Sequence, residues 1–538
     1  MRLKGLLFAT FLAVAAPVGA MAQTQGAPPA APAAAVHAGE VAFANSGAEA
    51  AQAPFLEGLA LLHDFEYERA ALAFQRAEAA DPGFAMAYWG EAMTHNHTVW
   101  MQQDLGAARA VLAKLGATPQ ARAAKAPTAR ERAYLAAIEI LYGEGAKDAR
   151  DFRYADAMAL VHAQYPDDVD ATAFYALALL GTCHQGRDFA TYMKAAALLE
   201  AVYPTHLRHP GVLHYMIHSY DDPIHAPLGL RPARRYGALA PDAPHALHMT
   251  SHIFLALGMW DEVIKANTAA LAAGDSIRAG ARSPGSRCGH YFTWLAYADL
   301  QERRDSDASA LLGACRITAE AQLTGPSHPG FDPDRSGVAS YVFMRLMQAV
   351  ETGRWDPEER LALPDAGFEA PRFFDAYGDA VAAYRARDPA AMKVALARLQ
   401  AAATPLLAQM SAQGDTRTAD LESVKVIVGQ MDAAGRILAG DQAGGLAALR
   451  AVATGEGAIP MEFGPPSVAL PTFELLGEEL LRAQRPADAA DAFRSALARA
   501  PGRTRSLEGL LTSEQRSGDQ TAAAATQAEL ARYRRAPV

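Results

Sequence analysis

Small and large apolar residues recur along this chain at the spacing of packed helices, not of strands. Ala70, Phe74 and Ala77 fall on one face of a 3.6-residue period, with Pro82 as a stop and Gly58 one helix earlier. Near the other end Gly477, Ala489, Phe493, Ala496 and Pro501 repeat the same separations. The logic is steric: Gly and Ala let two helices cross closely, Phe fills the gap beside them, and Pro ends the second helix. The pattern predicts helical hairpins. Two consecutive units cover 210–243 and 244–275; in the second, Ser251 takes the small crossing position, Phe254 the aromatic one and Gly258 the turn. Another starts near Gly289 with Ala296 and Ala308 as its small residues, and the last runs from Thr504 with Gly518 and Ala523. Further pairs are expected around 131–165, 171–203 and 373–402.

Composition agrees with this pattern. Of 538 residues 51% are apolar but only 8% aromatic, which suits close-packed helices better than sheets. The length exceeds one ordinary core, so a repeat array that grows by stacking is expected. A net charge of −10 without a long basic run argues against nucleic acid as a partner.

Residues 1–22 read as a secretory signal peptide: Arg2 and Lys4, then an apolar stretch from Leu6 to Val18, then Ala20-Met21-Ala22 as a cleavage site. A periplasmic or secreted location follows, with no integral membrane association after cleavage. Residues 23–52, rich in Ala, Pro and Gly, read as a flexible linker. The array then divides into 53–324, 335–454 and 468–538, with joints at the Gly- and Pro-rich breaks 325–333 and 455–471. Three cysteines, Cys183, Cys288 and Cys315, allow at most one internal disulfide and no Cys-based zinc site.

Departures from the repeat pattern are mostly histidines. His214 and His218 recur, member for member, as His248 and His252, at the period of one hairpin unit, roughly 34 residues. Neighbouring helices therefore present the same imidazoles at the same height. The stretches FAMAYWGEAMTHNHTVW (84–100), HPGVLHYMIHSYDDPIHAPLGL (209–230), APHALHMTSHIFLALGMWDEV (243–263) and FGPP (463–466), with the small-residue spacing, resemble tetratricopeptide repeat proteins of exported bacterial type. That resemblance implies an all-α, tetratricopeptide-like helical-hairpin solenoid, a right-handed superhelix with a concave groove. It also implies that the second, fifth and ninth residues of each unit face the groove: Gly211, His214 and His218 in one, His245, His248 and His252 in the next, and His290 in the third.

Imidazoles four apart on a helix lie about 6 Å apart, and packed helices about 8–10 Å apart, so rings from both helices can lean toward one point. The expected metal ligands are His214, His218, His248, His252 and His245, with Asp222, His95 and Glu91 as further donors. Asp221 is an additional oxygen donor. Imidazole and carboxylate without thiolate suit Zn, Cu, Ni or Fe. No organic cofactor is expected, because no GxSxG elbow occurs and no phosphate loop follows a strand. Trp89, Trp100 and Tyr88 are expected between helices, Arg231, Arg234 and Arg235 on the convex side, and His37, His162, His206 and His328 at the surface or as caps.

The function expected is a binding module that takes a protein or peptide in its groove and carries a histidine metal site. The alternatives are a metal-dependent enzyme using the histidines with a neighbouring carboxylate as base, and a purely structural scaffold of an envelope complex.

Overall fold

The structure is a computed structural model, described here for residues 36–280, 287–325, 332–412 and 418–533. Twenty-four α-helices follow one another among these residues, with a single antiparallel ladder pairing Asn96 with Gln103 and His97 with Gln102. The protein is all-α, an array of tetratricopeptide-like hairpins. From His37 onward the chain forms one compact unit. The signal reading of residues 1–22 and His328 lie outside the described residues. No described helix is long and apolar enough to cross a membrane.

The repeat is written in its turns. In six hairpins the residue two after the first helix has left-handed φ: Phe65, Gly258, Arg303, Arg387, Gly440 and Gln484, with φ between 54° and 99°. The next N–H then reaches back to the carbonyl five residues earlier, as in Glu66 to Leu61 at 2.9 Å, Met259 to Phe254 at 2.8 Å and Arg485 to Leu480 at 2.9 Å. This closure satisfies the last carbonyls of the first helix and sets the second helix antiparallel to it. Four of the six positions are not Gly and accept the cost of that conformation.

The small-residue spacing works as expected. A Cβ on Gly58 would stand 2.9 Å from the Phe74 ring, and one on Gly90, in the following helix, 2.3 Å from it. Phe493 is wedged in the same way between Gly477 and Gly509. One aromatic ring thus keys three helices together, and both rings are fully buried. The hairpins expected around 131–165, 171–203 and 373–402 form as Ala129–Leu141 with Lys147–Gln164, Val169–Leu180 with Phe189–Val202, and Glu369–Arg385 with Pro389–Ala412.

Two boundary expectations need correction. Of the expected linker 23–52, residues 23–35 lie outside the described residues, 37–48 lie along the array, and 49–52 open the helix Glu49–His63. Phe43 lies buried against Phe55, Trp89 and Tyr134 with Arg130 above its ring, and Glu40 N–H donates to the Arg208 carbonyl. One aromatic side chain anchors a stretch whose average composition looks unfolded. The break at 455–471 is likewise more than a joint. Its segment 459–468 runs as a strap against the first half of the array. Pro460 meets Gly186, the Met461 carbonyl accepts from Arg187, and Gly464 abuts Trp294. The curl is closed further where Gly258 touches Pro501 and Gly502, and where Trp260 Nε1–H donates to the Gly502 carbonyl.

Candidate metal centre

Two helices carry the histidines, Pro210–Tyr220 and Pro244–Ala256, each starting on a proline that needs no N–H partner in the first turn. Their starts are pinned from afar. His209 caps the first, its Nδ1 accepting from Val212 N–H, and the Glu66 carboxylate accepts from His245 N–H at the head of the second. In-phase packing then brings six imidazoles together. His214, His218 and His245 each offer a ring nitrogen within 4.8 Å of the others, and so do His248, His252 and His290. The two threes meet where His218 faces His252, with centroids 5.5 Å apart, and where His245 faces His248 at 6.0 Å.

The hydrogen bonds fix which nitrogen is free. His214 Nδ1 faces the His63 carbonyl at 2.6 Å, an atom that can only accept, so Nδ1 carries the proton and Nε2 a lone pair. His248 Nδ1 faces Asn267 Oδ1 at 2.7 Å, and that amide is oriented by its own donation to the Val263 carbonyl. His252 Nδ1 and His218 Nδ1 both face Asp221 Oδ2, at 2.9 and 3.4 Å. Four rings are therefore held with Nδ1–H outward and Nε2 inward, the arrangement that orients metal-ligating histidines. The Nε2 atoms of His214, His218 and His245 are buried and have no hydrogen-bond partner. Those of His248 and His252 face each other at 3.2 Å.

Burial controls the charge. It pushes the imidazoles of His214, His245 and His248 far below their ordinary range, helped by neighbouring rings. His252 comes down to about 4, burial outweighing the Asp221 carboxylate. Burial would raise Asp221 itself, but the Arg187 guanidinium and the two imidazoles hold it well below the usual carboxylate range. Arg187, stacked on Tyr192 and bonded to Asp221, links the centre to the strap.

A second layer comes from the first turn of the array, HDFEY at 63–67. His63 lies between Asp170 and Tyr215, at 2.9 and 3.0 Å, and Asp170 also takes His209 at 3.2 Å. The Asp64 carboxylate accepts from Tyr236, whose ring lies beside His214, and burial raises it well above its usual range. Phe65 covers His214, His218 and His245 with centroids 4.3, 5.8 and 5.5 Å away. On the other side Phe463 and Trp294 cover His252 at 4.9 and 4.5 Å.

The expected ligands thus divide. His214, His218, His245, His248 and His252 come together, and His290 joins them at the rim. They do not line an open groove: all but His290 are buried, because the strap, Phe65 and Trp294 close over them. Access is through a cleft of about 990 Å³ walled by Phe65, Glu66, Tyr67, His245, His290 and Tyr291. His95 lies on the wall of this cleft, outside both threes. Glu91 lies apart, taking hydrogen bonds from Gln75 and Lys114 beside Glu78, whose carboxyl burial and Glu91 push up to about 8. Asp222 is consumed by its own turn, accepting from Ile224 N–H and bonded to His225, while its neighbour Asp221 serves the site.

Sequence reasoning missed His63, Asp170, Asn267 and Phe463. Of these His63 carried a signal as a histidine ending a first helix, and Phe463 as the start of the FGPP stretch, though nothing in the sequence tied either to the histidine pairs. Trp89 and Tyr88 are buried between helices, whereas Trp100 stands half-buried beside His245. Arg231, Arg234 and Arg235 are exposed. His37 pairs with Asp242 at the surface, His162 with Thr172, and His206 bonds the Val202 carbonyl. Cys288 and Cys315 form a disulfide and Cys183 is free.

No family model matches the sequence, and no curated protein matches it. Solved structures similar to it include human IFIT1 with PPP-AAAA, at 13% identity over 88% of this chain and 94% of that one, with a TM-score of 0.37. The APC/C hetero-tetramer Cut9-Hcn1 gives 10% identity over 88% and 78%, TM-score 0.35. Naa15/Naa10 bound to HypK-THB gives 12% over 90% and 70%, TM-score 0.22. The architecture rests on this chain's own turns, wedges and helix pairs, which make it a tetratricopeptide-like helical array.

Proposed function

We propose that this chain is an exported helical-repeat metalloprotein whose buried His214, His218 and His245 hold a transition metal ion. The observation that carries the reading is the set of three partnerless Nε2 atoms, two of them belonging to rings whose Nδ1 is already committed. A buried acceptor left unpaired costs about 1–3 kcal/mol, and a fold that keeps three together is offset by an ion that accepts all three. Zn, Cu, Ni and Fe fit neutral imidazole donors. Export is supported by the signal-like segment 1–22 and by the disulfide, which suits an oxidising compartment.

Three protein ligands leave a coordination position for water or substrate, and the cleft reaches His245. That favours a metal-dependent enzyme as the second reading, with Glu66 as proton acceptor beside the opening. Burial raises its carboxyl above the ordinary range. Engagement of a protein partner belongs to the exposed faces of the array, since the imidazoles are covered.

The test is metal content of untagged mature protein, purified and then equilibrated with buffered Zn(II) or Cu(II). The reading expects tightly held metal that falls when His214 and His245 are replaced together by Ala with helicity unchanged. Protein that stays metal-free under both ions leaves the structural scaffold as the answer.

A further inference from the structure

We infer that the array holds two metal ions side by side, the second bound by His248, His252 and His290. The inference rests on the metalloprotein reading above and extends it to a site with its own donors. Within this second three the ring nitrogens lie within 4.8 Å of one another, as they do in the first.

The argument is one of proton positions. His248 Nδ1 must donate, because it faces an Asn oxygen whose orientation is fixed by that amide's own bond to the Val263 carbonyl. His252 Nδ1 must donate, because it faces a carboxylate paired with Arg187. Both Nε2 atoms are then lone pairs, and they point at each other across 3.2 Å. Two lone pairs in that position repel, and neither ring can turn to relieve it without losing its Nδ1 bond. A cation between them reverses the sign of the interaction. The separation suits this: Zn–N bonds of about 2.0–2.1 Å at a tetrahedral angle place two nitrogens roughly 3.3–3.4 Å apart. His290 completes the set from the next helix, with its centroid 4.6 Å from His248.

Asp221 marks the boundary between the two ions. Its Oδ2 faces Nδ1 of His218, from the first three, and Nδ1 of His252, from the second. One carboxylate thus faces the Nδ1 of one ligand of each ion. Neither set contains a carboxylate ligand, so the donors are neutral imidazoles throughout, and each ion keeps a position open for water or an anion. The rim ligand, His290, stands on the wall of the same cleft that reaches His245. A small anionic or oxygen-donor substrate entering there meets both ions.

The experiment counts metal. Untagged mature protein is equilibrated with buffered Zn(II), freed of loosely bound ion, and analysed for zinc per chain by mass spectrometry. The expected result is two for the parent, one for His214→Ala/His245→Ala, one for His248→Ala/His290→Ala and none for the four combined. His290→Asn alone, at the solvent-facing rim, keeps the test independent of core folding and should weaken only one of the two ions. X-ray absorption at the zinc edge should show about three imidazoles per zinc. A parent that holds one zinc and keeps it in His248→Ala/His290→Ala overturns the second site and leaves the first standing. One zinc lost in both double variants means a single ion drawing on both sets, which also overturns the proposal. A parent with none removes the metalloprotein reading itself.

Discussion

Adding one methyl group at Gly211 tests whether the centre is held as described. In a helix Gly to Ala ordinarily stabilises, by up to about 1 kcal/mol, so the sign of the effect is diagnostic. Here a Cβ would stand 2.3 Å from His63 Nδ1 and 2.7 Å from its Cε1, well inside van der Waals contact. The ring has nowhere to go: it stacks on Phe174 at 4.6 Å, bonds Asp170 at 2.9 Å and takes Tyr215 at 3.0 Å. Overpacking of this kind costs about 1–3 kcal/mol, and a severed Tyr215 bond adds about 1 kcal/mol. The carbonyl of the same residue fixes His214 Nδ1, so metal affinity should fall about 10- to 100-fold as the orienting bond is lost. Equilibrium urea unfolding of metal-free protein reads the first effect, and competition with a chromophoric chelator the second. A Gly211→Ala protein as stable as its parent, or more so, would refute the claim that His63 is locked. Lost stability with unchanged affinity would separate His63 from the metal centre.

Three further outcomes follow from the same reasoning. Asn267→Leu removes the acceptor of His248 and should cost the metal-free protein about 1–3 kcal/mol, whereas Asn267→Asp should keep metal binding; equal chelator competition by parent and Leu variant would rule His248 out as a ligand. Gly509→Ala, whose Cβ would meet the Phe493 ring at 2.3 Å, should lower the melting midpoint by an amount matching about 1–3 kcal/mol, and an unchanged midpoint would mean the wedge is not tight. Glu474, buried beside Arg503 at 2.7 Å, is held down to about 2 against an ordinary 4.5: burial opposes this, and Arg503 and Arg505 outweigh it. Because the folded value is the lower one, its contribution is fully present above about pH 4.5 and is lost as pH falls toward 2, on the order of 3 kcal/mol. Urea titrations at pH 7, 4.5 and 3 should show a shallower acid slope in Glu474→Gln than in the parent, and parallel slopes would contradict the assignment.

How far the sequence could be read depended on the range of the interactions. The wedge positions around Phe74 and Phe493 are local, spaced within one hairpin, and the structure forms them as read. The phase of His214, His218, His248 and His252 is also local, since it needs only the repeat period and the helical pitch. The cover over those rings is not. Phe65 belongs to the first hairpin of the array and Phe463 to the strap, both remote in the chain from the helices they cover. No periodicity announces that an array will curl until its strap reaches its own inner face. The same blindness explains Asp221 and Asp222, adjacent carboxylates of equal sequence merit. Asp221 meets His218 and His252 while Asp222 accepts from the backbone of its own turn, and Arg187, two α-helices earlier in the chain, contacts both.

What the fold does with these imidazoles separates a centre from a merely tolerated cluster. A stacked-helix core is most easily filled by Ala, Leu and Phe, as it is at the crossings around Phe74 and Phe493. His63 and His209 show how it handles a histidine whose ring is fully satisfied: both ring nitrogens of each find a partner, through Asp170, Tyr215 and a backbone N–H. His214, His218 and His245 are buried to a similar degree in the same core, yet their Nε2 atoms are left without one. Desolvation is comparable in the two cases, so the difference lies in the direction of the second nitrogen. The His63 carbonyl orients His214 and Asp221 faces His218, so two of these three rings have their Nδ1 engaged and their Nε2 left over, which is the arrangement the proposed cation would use.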